Sequence, residues 1–220
     1  MYDIVFISYN EPNADENYAR LKERFPRAKR IDGVTGIHQA HIAAAKAVLT
    51  RLFWVVDGDA QILDSFNFDF QSPTAELDYV RVWRSINPIN GLQYGYGGVK
   101  LLPKKLTLNM DVTSTDMTMN ISNKFMAMKE VSNITAFNTD PFNTWKSAFR
   151  ECTKLAVIND AEAQSRLEQW CTVGTDLYAI AGALAGKKYG EENTSNKEAL
   201  SRINDFKWLK DLFDQSTPTP

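Results

Sequence analysis

The stretch RLFWVVDGDAQIL, residues 51–63, decides the fold. Leu52 through Val56 are all hydrophobic, and two aspartates separated by one glycine, Asp57 and Asp59, follow at once. A short, continuous apolar run bounded by turn-forming residues is typical of a buried strand. The sequence therefore predicts a buried strand that ends by placing two carboxylates close together.

Alternating strand and helix patterns lead up to this stretch. Apolar and β-branched residues predict strands, and apolar residues at helical spacing predict helices, the first of them capped by Asn13. The segments are a strand at 2–8, a helix at 13–25, a strand at 27–32, a helix at 36–50 and the strand at 51–57. This order favours a doubly wound start, so we predict an α/β fold, Rossmann-like, with a mostly parallel sheet flanked by helices.

The rest of the chain is less regular. We predict strands within 76–85, 99–103 and 130–138, a loop at 87–98, and helices at 140–157, 160–173, 176–190 and 203–213. Asp140 followed by Pro141 is a strong helix start. The predicted organisation is one catalytic domain over residues 1–190, then a C-terminal helical segment and disordered tail over 191–220.

Composition limits the classes of protein to consider. The 220 residues are 44% hydrophobic with a net charge of −2, which argues against nucleic-acid binding through bulk positive charge but allows a local basic patch. Cys152 and Cys171 have no short spacing, so we expect reduced thiols rather than a disulfide scaffold or zinc knuckle. Without a signal-peptide pattern or an apolar stretch of membrane-spanning length, we expect a cytoplasmic protein with no membrane partner.

The ends of the first and third strands point to a ligand site. In an open parallel sheet, ligands bind outside the carboxyl ends of strands where the strand order reverses. The first strand ends in Ser8-Tyr9-Asn10-Glu11 and the third in Asp57-Gly58-Asp59. Two carboxylates there predict a Mg²⁺ or Mn²⁺ site that bridges nucleotide phosphates. The competing interpretation is that these aspartates only form the turn after the strand.

At this point the sequence resembles a known family. YDIVFISYNEPN, RIDGVTGIHQAH and FWVVDGDA resemble the donor half of GT-A glycosyltransferases, which carry an Asp-x-Asp metal motif. VWRSINPINGLQYGYGGVKLLP and ITAFNTDPFNTWKSAFRE are similar to small glycosyltransferases of tailed bacteriophages. The resemblance covers about residues 2–190 and implies a UDP-sugar donor, UDP-arabinose among the candidates. It also implies DNA carrying 5-hydroxymethylcytosine as acceptor, inside a phage-infected host cell.

The resemblance also implies residue roles. Tyr9 would stack on a uracil-like ring, and Asn10 or Glu11 would read its edge. Gly36, Ile37 and His38 open the second helix, whose amides would face the nucleotide. The motif would place the metal on Asp57 and Asp59, but no histidine follows His41 as a further ligand. With no third soft ligand nearby, His38 and His41 do not predict a zinc site.

Inverting transfer requires a general base, and a retaining enzyme does not. Asp140 is the first candidate, although an Asp before Pro is also an ordinary helix cap. Asp111 and Asp116 are reserve candidates. The segment YGYGGVKLLPKK is a candidate acceptor site. Its glycines would permit close backbone approach, and they are Gly95, Gly97 and Gly98. Its lysines would contact phosphates of the acceptor, and they are Lys100, Lys104 and Lys105. Three aromatic residues would stack on a sugar or base, and they are Trp83, Tyr94 and Trp145.

Two other classes remain open. A haloacid-dehalogenase-type phosphatase also uses an Asp-x-Asp pair, but normally on its first strand, whereas this pair follows the third. A non-catalytic nucleotide-sugar-binding module would keep the cleft and need no base. The sequence leaves the transferred sugar, the stereochemistry and the oligomeric state open.

Overall fold

The computed structural model describes residues 1–95, 97–112 and 117–216. The chain packs as two units. Unit 1 comprises Met1–Asn87 and Gln93–Ala136, and unit 2 comprises Pro88–Leu92 and the chain from Phe137 onward. The expectation that residues 1–190 act as one catalytic domain stays a prediction.

Unit 1 is a mixed α/β unit built on one sheet. Its strands are β1 (Asp3–Ser8), β2 (Lys29–Asp32), β3 (Leu52–Asp57), β4 (Ala60–Ile62), β5 (Val80–Ile86), β6 (Gln93–Tyr94), β7 (Val99–Pro103) and β8 (Phe125–Thr135). Its helices are α1 (Ala14–Arg24), α2 (Ile37–Ala47), α3 (Lys104–Leu108) and α4 (Met117–Ile121), with a 3-10 turn at Thr74–Glu76.

The strand order is β2-β1-β3-β7-β5-β8-β4, with β6 beside β5. β1 pairs in parallel with both β2 and β3, as predicted. The expectation of a mostly parallel sheet is not confirmed, because β7 runs antiparallel to both β3 and β5, and β4 runs antiparallel to β8. Short connections favour antiparallel pairing in this part of the sheet. Six residues, 87–92, join β5 to its antiparallel neighbour β6, and four, 95–98, join β6 to β7, whereas a parallel crossover needs a dozen or more.

The core of unit 1 lies on both faces of β3. Phe53 and Val55 pack on the side of α2 with Val5, whereas Trp54 and Val56 pack on the side of α1. Trp54 packs edge to face against the ring of Phe68, at a centroid distance of 5.2 Å, and against that of Phe66, at 5.8 Å. The continuous apolar run of β3 is thus explained by burial on both faces.

Unit 2 is helical. Its helices are α5 (Pro141–Ile158), α6 (Ala161–Thr172), α7 (Leu177–Glu192), α8 (Lys197–Ser201) and α9 (Phe206–Ser216), with a 3-10 turn at Arg202–Asn204. Asp140 caps α5 by accepting a hydrogen bond from the amide of Asn143 at 2.8 Å, with Pro141 at the first turn. α7 packs closely on α5, since a Cβ at Gly186 would lie 2.2 Å from the carbonyl oxygen of Phe149.

The predicted long elements are confirmed, with ends shifted by a few residues. The short elements β4, β6, α3, α4 and α8 were not predicted, and β6 lies within the predicted loop. Residues 217–220, at the end of the predicted tail, lie outside the described residues. Both cysteines are free thiols. No helix in the described part of the chain has the length and apolar character needed to cross a membrane.

Candidate functional site

The carboxyl ends of the first three strands meet at one edge of the sheet. Ser8 pairs with Asp32 across β1 and β2, and Ile7 pairs with Asp57 across β1 and β3. The chain runs from β1 to β2 on one side and to β3 on the other, so the strand order reverses at β1. This is the position at which doubly wound sheets bind ligands, and it confirms the predicted adjacency of the two polar strand ends.

Glu11 lies over the turn between the two aspartates. Its Oε2 accepts a hydrogen bond from the amide of Tyr9 at 2.6 Å. A Cβ at Gly58 would come within 2.5 Å of this same Oε2, so the position has no room for a side chain while Glu11 stays in place. The carbonyl of Gly58 accepts a hydrogen bond from Nδ2 of Asn17 at 3.0 Å, which fixes the turn to α1.

Lys100 bonds to the first aspartate. Its Nζ donates to Oδ1 of Asp57 at 2.7 Å, and its residue is only 4% exposed. The amide of Asp57 also donates to the carbonyl of Gly98 at 2.9 Å, so the start of β7 and the end of β3 are joined twice. The prediction that Lys100 contacts acceptor phosphates is wrong for this conformation, because its ammonium group is buried against Asp57.

The site carries an excess of negative charge. Burial, reinforced by the charges of Asp57 and Glu11, raises the pKa of Asp59 to about 7. Burial also raises the pKa of Asp57, although the ammonium of Lys100 acts in the opposite direction. One lysine therefore faces three carboxylates. A cation would relieve this repulsion.

The donor chemistry fits a hard divalent cation. Carboxylate oxygens suit Mg²⁺ and Mn²⁺, and Mg²⁺ is commonly held by one or two carboxylates with water and substrate phosphates filling the other positions. In the described residues, no group of three His, Cys, Asp or Glu side chains is arranged to hold a metal by itself. Asp57 and Asp59 thus suit a site that a phosphate ligand completes.

A second polar network borders the site at the end of β2. Oγ of Ser8 donates to Oδ1 of Asp32 at 2.5 Å and accepts from Nε of Arg30 at 2.9 Å. The bond from Ser8 is the main reason that the pKa of Asp32 lies below its usual range. Arg30 also bonds to Asp15 at 2.6 Å. Sequence reasoning missed Arg30 and Asp32, although their place at the carboxyl end of β2 was a usable signal.

Buried polar side chains support the site from β8. Asn133 is fully buried, and its Oδ1 accepts hydrogen bonds at 2.8 Å from the hydroxyls of both Ser85 and Ser132. A Cβ at Gly98 would lie 2.6 Å from Nδ2 of Asn133. Asn133 thus packs against Gly98, just before β7 and next to Asp57. Because Asn133 lies 48 positions from Ser85, no local sequence pattern could reveal their hydrogen bond.

Several of the predicted nucleotide-contacting residues occupy accessible positions, but Ser8 does not. It is only 2% exposed, and its hydroxyl is bonded to Asp32 and Arg30. Tyr9 is 45% exposed, and Asn10 adopts a left-handed backbone with φ of 63°. Gly36, with φ of 91°, precedes the first turn of α2, where Ile37 is exposed and Nε2 of His38 lies 3.3 Å from Nδ2 of Asn120. Their contacts with a nucleotide stay predictions.

His41 is buried in the first turns of α2. Its Nδ1 lies 2.8 Å from the carbonyl of Ile37, one turn earlier in α2. Burial, followed by the charge of Lys100, lowers the pKa of His41 to about 3. The ring is therefore neutral at ordinary pH.

The three candidate general bases lie in different parts of the chain. Asp140 belongs to unit 2, where it accepts hydrogen bonds from the main-chain amide and, at 2.5 Å, from Nδ2 of Asn143. The capping interpretation is thus confirmed, and its role as base stays a prediction. Asp111 is exposed in unit 1, and Asp116 lies outside the described residues.

The aromatic rings proposed for acceptor stacking are unavailable. Trp83, Tyr94 and Trp145 are all at most 5% exposed, and Trp83 packs on Trp54 at a centroid distance of 4.5 Å. Nζ of Lys104 donates to the carbonyl of Val48 at 2.6 Å. The stacking prediction is wrong because these side chains fill the cores of their own units.

Comparison with known proteins finds limited similarity. No protein-family profile and no curated protein matches the sequence. Among solved structures, HddC from Yersinia pseudotuberculosis, also solved complexed with GMP-PN, aligns at 15% identity with a TM-score of 0.41, over 60% of this chain and 90% of HddC. S. aureus TarS 1-349 aligns at 10% identity with a TM-score of 0.40, over 98% of this chain and 81% of that one. Similarity of this degree does not assign the chain to a family.

Proposed function

We propose that this protein is a glycosyltransferase that binds a nucleotide-sugar at the carboxyl ends of β1 and β3. The observation that carries the proposal is the convergence of Glu11, Asp57 and Asp59 around Gly58, at the point where the strand order reverses. That edge of the sheet is where a doubly wound fold binds a nucleotide.

The charge of the site supports a cation-assisted donor. Asp57 and Asp59 would hold Mg²⁺ or Mn²⁺, which would supply positive charge against the donor diphosphate and the leaving group. Burial, and then repulsion from Asp57 and Glu11, raises the pKa of Asp59, and a bound cation would remove this repulsion. The exposed ring of Tyr9, two residues before Glu11, is available to stack on the base.

The finer assignments rest on the sequence resemblance. It supports a UDP-sugar as donor, with UDP-arabinose one candidate, and 5-hydroxymethylcytosine in phage DNA as acceptor. The net charge of −2 gives no separate support for DNA. Asp140 as general base belongs to the same set of proposals.

The test is release of UDP from a panel of UDP-sugars that includes UDP-arabinose and UDP-glucose. Each is assayed with Mn²⁺, Mg²⁺ or chelator, and with or without hydroxymethylcytosine DNA. We expect metal-dependent release that the DNA stimulates and that Asp59→Ala abolishes, while Asp69→Ala, an exposed aspartate in unit 1, behaves as wild type.

Other results separate the alternatives. UDP release that is equal with and without DNA would support the donor site and reject DNA as the acceptor. Phosphate release from a phosphomonoester, without UDP release, would identify a phosphatase. UDP-sugar binding without any turnover would identify a binding module and overturn the proposal.

A further inference from the structure

Lys100 is an unusual residue for its position. It lies in β7, flanked by Val99 and Leu101, and is almost fully buried. It pairs with Val55 of β3, and directly paired residues point to the same face of a sheet. Val55 and Asp57 share that face because side chains alternate along a strand. The pairing register of β7 with β3 thus places the ammonium of Lys100 beside the carboxylate of Asp57.

The residues around Lys100 enclose its side chain and add no second positive charge. A Cβ at Gly97, whose φ is +83°, would lie 3.5 Å from Cε of Lys100, so the loop before β7 covers the lysine stem. On the α2 side the nearby His41 is buried, and its Nε2 has no hydrogen-bond partner among the described residues. Its lowered pKa keeps the imidazole neutral, so His41 adds no second positive charge beside Lys100.

A buried ammonium group is costly unless it is paired. The Lys100–Asp57 bond satisfies this requirement while it occupies one of the carboxylates that suit a divalent cation. A cation that binds to Asp57 must therefore compete with a positive charge already there.

We propose that Lys100 is the resident counter-ion of the Asp57-Gly58-Asp59 turn, and that a divalent cation binds there by displacing Lys100 from Asp57. This inference rests on the proposed cation-assisted function and adds to it a residue that sets the cation affinity. Lys100 acts through Asp57 and is a positioning residue. Without a cation it compensates part of the negative charge of the carboxylates, and it makes cation binding weaker than the carboxylates alone would give.

The test is calorimetric titration of the full chain with MnCl₂ and no nucleotide, for wild type and three variants. Lys100→Met removes the charge and retains the length and apolar stem. Lys100→Arg retains the charge. Lys29→Met is the matched control, because Nζ of Lys29 donates to the main-chain carbonyl of Ala47 at the opposite end of the parallel strands.

We expect Lys100→Met to bind Mn²⁺ about tenfold more tightly than wild type, since a like charge leaves the site. Lys100→Arg and Lys29→Met should stay within about twofold of wild type on the same argument. Mn²⁺ should also raise the melting temperature of Lys100→Met more than that of wild type. A merely structural lysine would not yield tighter binding on removal.

Two results overturn the inference in different ways. Unchanged or weaker Mn²⁺ binding by Lys100→Met, with measurable binding by wild type, rejects the counter-ion role and leaves the proposed function standing. No Mn²⁺ binding by any variant, either alone or with saturating UDP present, rejects the metal site itself. Should Lys100→Met not fold, Lys100→Gln, which keeps a donor for Asp57 without the charge, gives the same comparison.

Discussion

The carboxylate of Glu11 lies against the main chain of Gly58, so that a Cβ at residue 58 would come within 2.5 Å of Oε2. Gly58 has no positive φ, so the obstacle to a side chain there is the carboxylate of Glu11 and not backbone strain. This contact joins the end of β1 to the turn after β3, and Glu11 must move before residue 58 can carry a side chain.

Gly58→Ala should therefore move Glu11 and weaken Mn²⁺ binding with a small loss of stability. The lost hydrogen bond to the amide of Tyr9 suggests a cost of about 1 kcal/mol. Calorimetry and chemical denaturation measure the two effects. The control is Gly95→Ala, where the added Cβ would meet Val82 at an ordinary 3.5 Å. If Gly58→Ala still weakens Mn²⁺ binding equally in a Glu11→Ala background, the steric explanation is wrong.

The raised pKa of Asp59 predicts a pH-dependent stability. The folded protein keeps the proton up to about pH 7, whereas the usual pKa of an aspartate is 3.8. The stabilising effect of this proton is thus complete below about pH 4 and is lost as the pH rises through 7. Asp59→Asn, which is neutral throughout, should gain about 4 kcal/mol of stability relative to wild type as the pH rises from 4 to 8.

Denaturation of both proteins at several pH values, without metal, measures this difference. Asp69→Asn, at an exposed position, serves as control and should track wild type. A constant difference between Asp59→Asn and wild type across the range would show that Asp59 is ionised normally.

His41 predicts a pH dependence of opposite sign. Its pKa is about 3 in the folded protein against the usual histidine pKa of 6.5, so the unfolded chain binds the additional proton. Stability from neutral His41 is complete above about pH 6.5 and is lost as the pH falls toward 3. Between pH 7.5 and 5 the loss should be about 2 kcal/mol.

His41→Met should flatten this slope, because methionine adapts to buried space and does not titrate. His38→Gln, which changes the half-exposed histidine one turn earlier, should leave the slope intact. Denaturation at pH 5, 6 and 7.5 measures both. An equal slope in His41→Met and wild type would contradict the buried, neutral imidazole.

Asp140 serves as a helix cap, and the proposal adds a role as base. Asn is as good an N-cap as Asp but cannot accept the proton. Asp140→Asn should therefore fold with an unchanged melting temperature and lose at least about 100-fold in turnover. Asp140→Ala should lose about 1 kcal/mol of stability as well. Turnover near wild type in Asp140→Asn would restrict Asp140 to capping.

The sequence was most informative where the pattern is local. The apolar run of β3 and the Asp140-Pro141 start of α5 are set by neighbouring residues, and both elements form as predicted. The mixed character of the sheet was missed because strand direction depends on the pairing of β7 with β3, between residues far apart in sequence. Two hydrogen bonds at the site were missed for the same reason. Lys100 bonds to Asp57, which lies 43 positions away in the sequence, and Asn133 bonds to Ser85, 48 positions away.

Binding of UDP to the wild-type chain, titrated calorimetrically with and without Mn²⁺, tests the central claim most directly. The account predicts binding that Mn²⁺ strengthens by at least about tenfold, and the loss of this gain in Asp59→Ala, because the cation would join the carboxylates to the diphosphate. UDP binding of equal strength with and without Mn²⁺, or a gain that persists in Asp59→Ala, would contradict a cation site at the Asp57-Gly58-Asp59 turn.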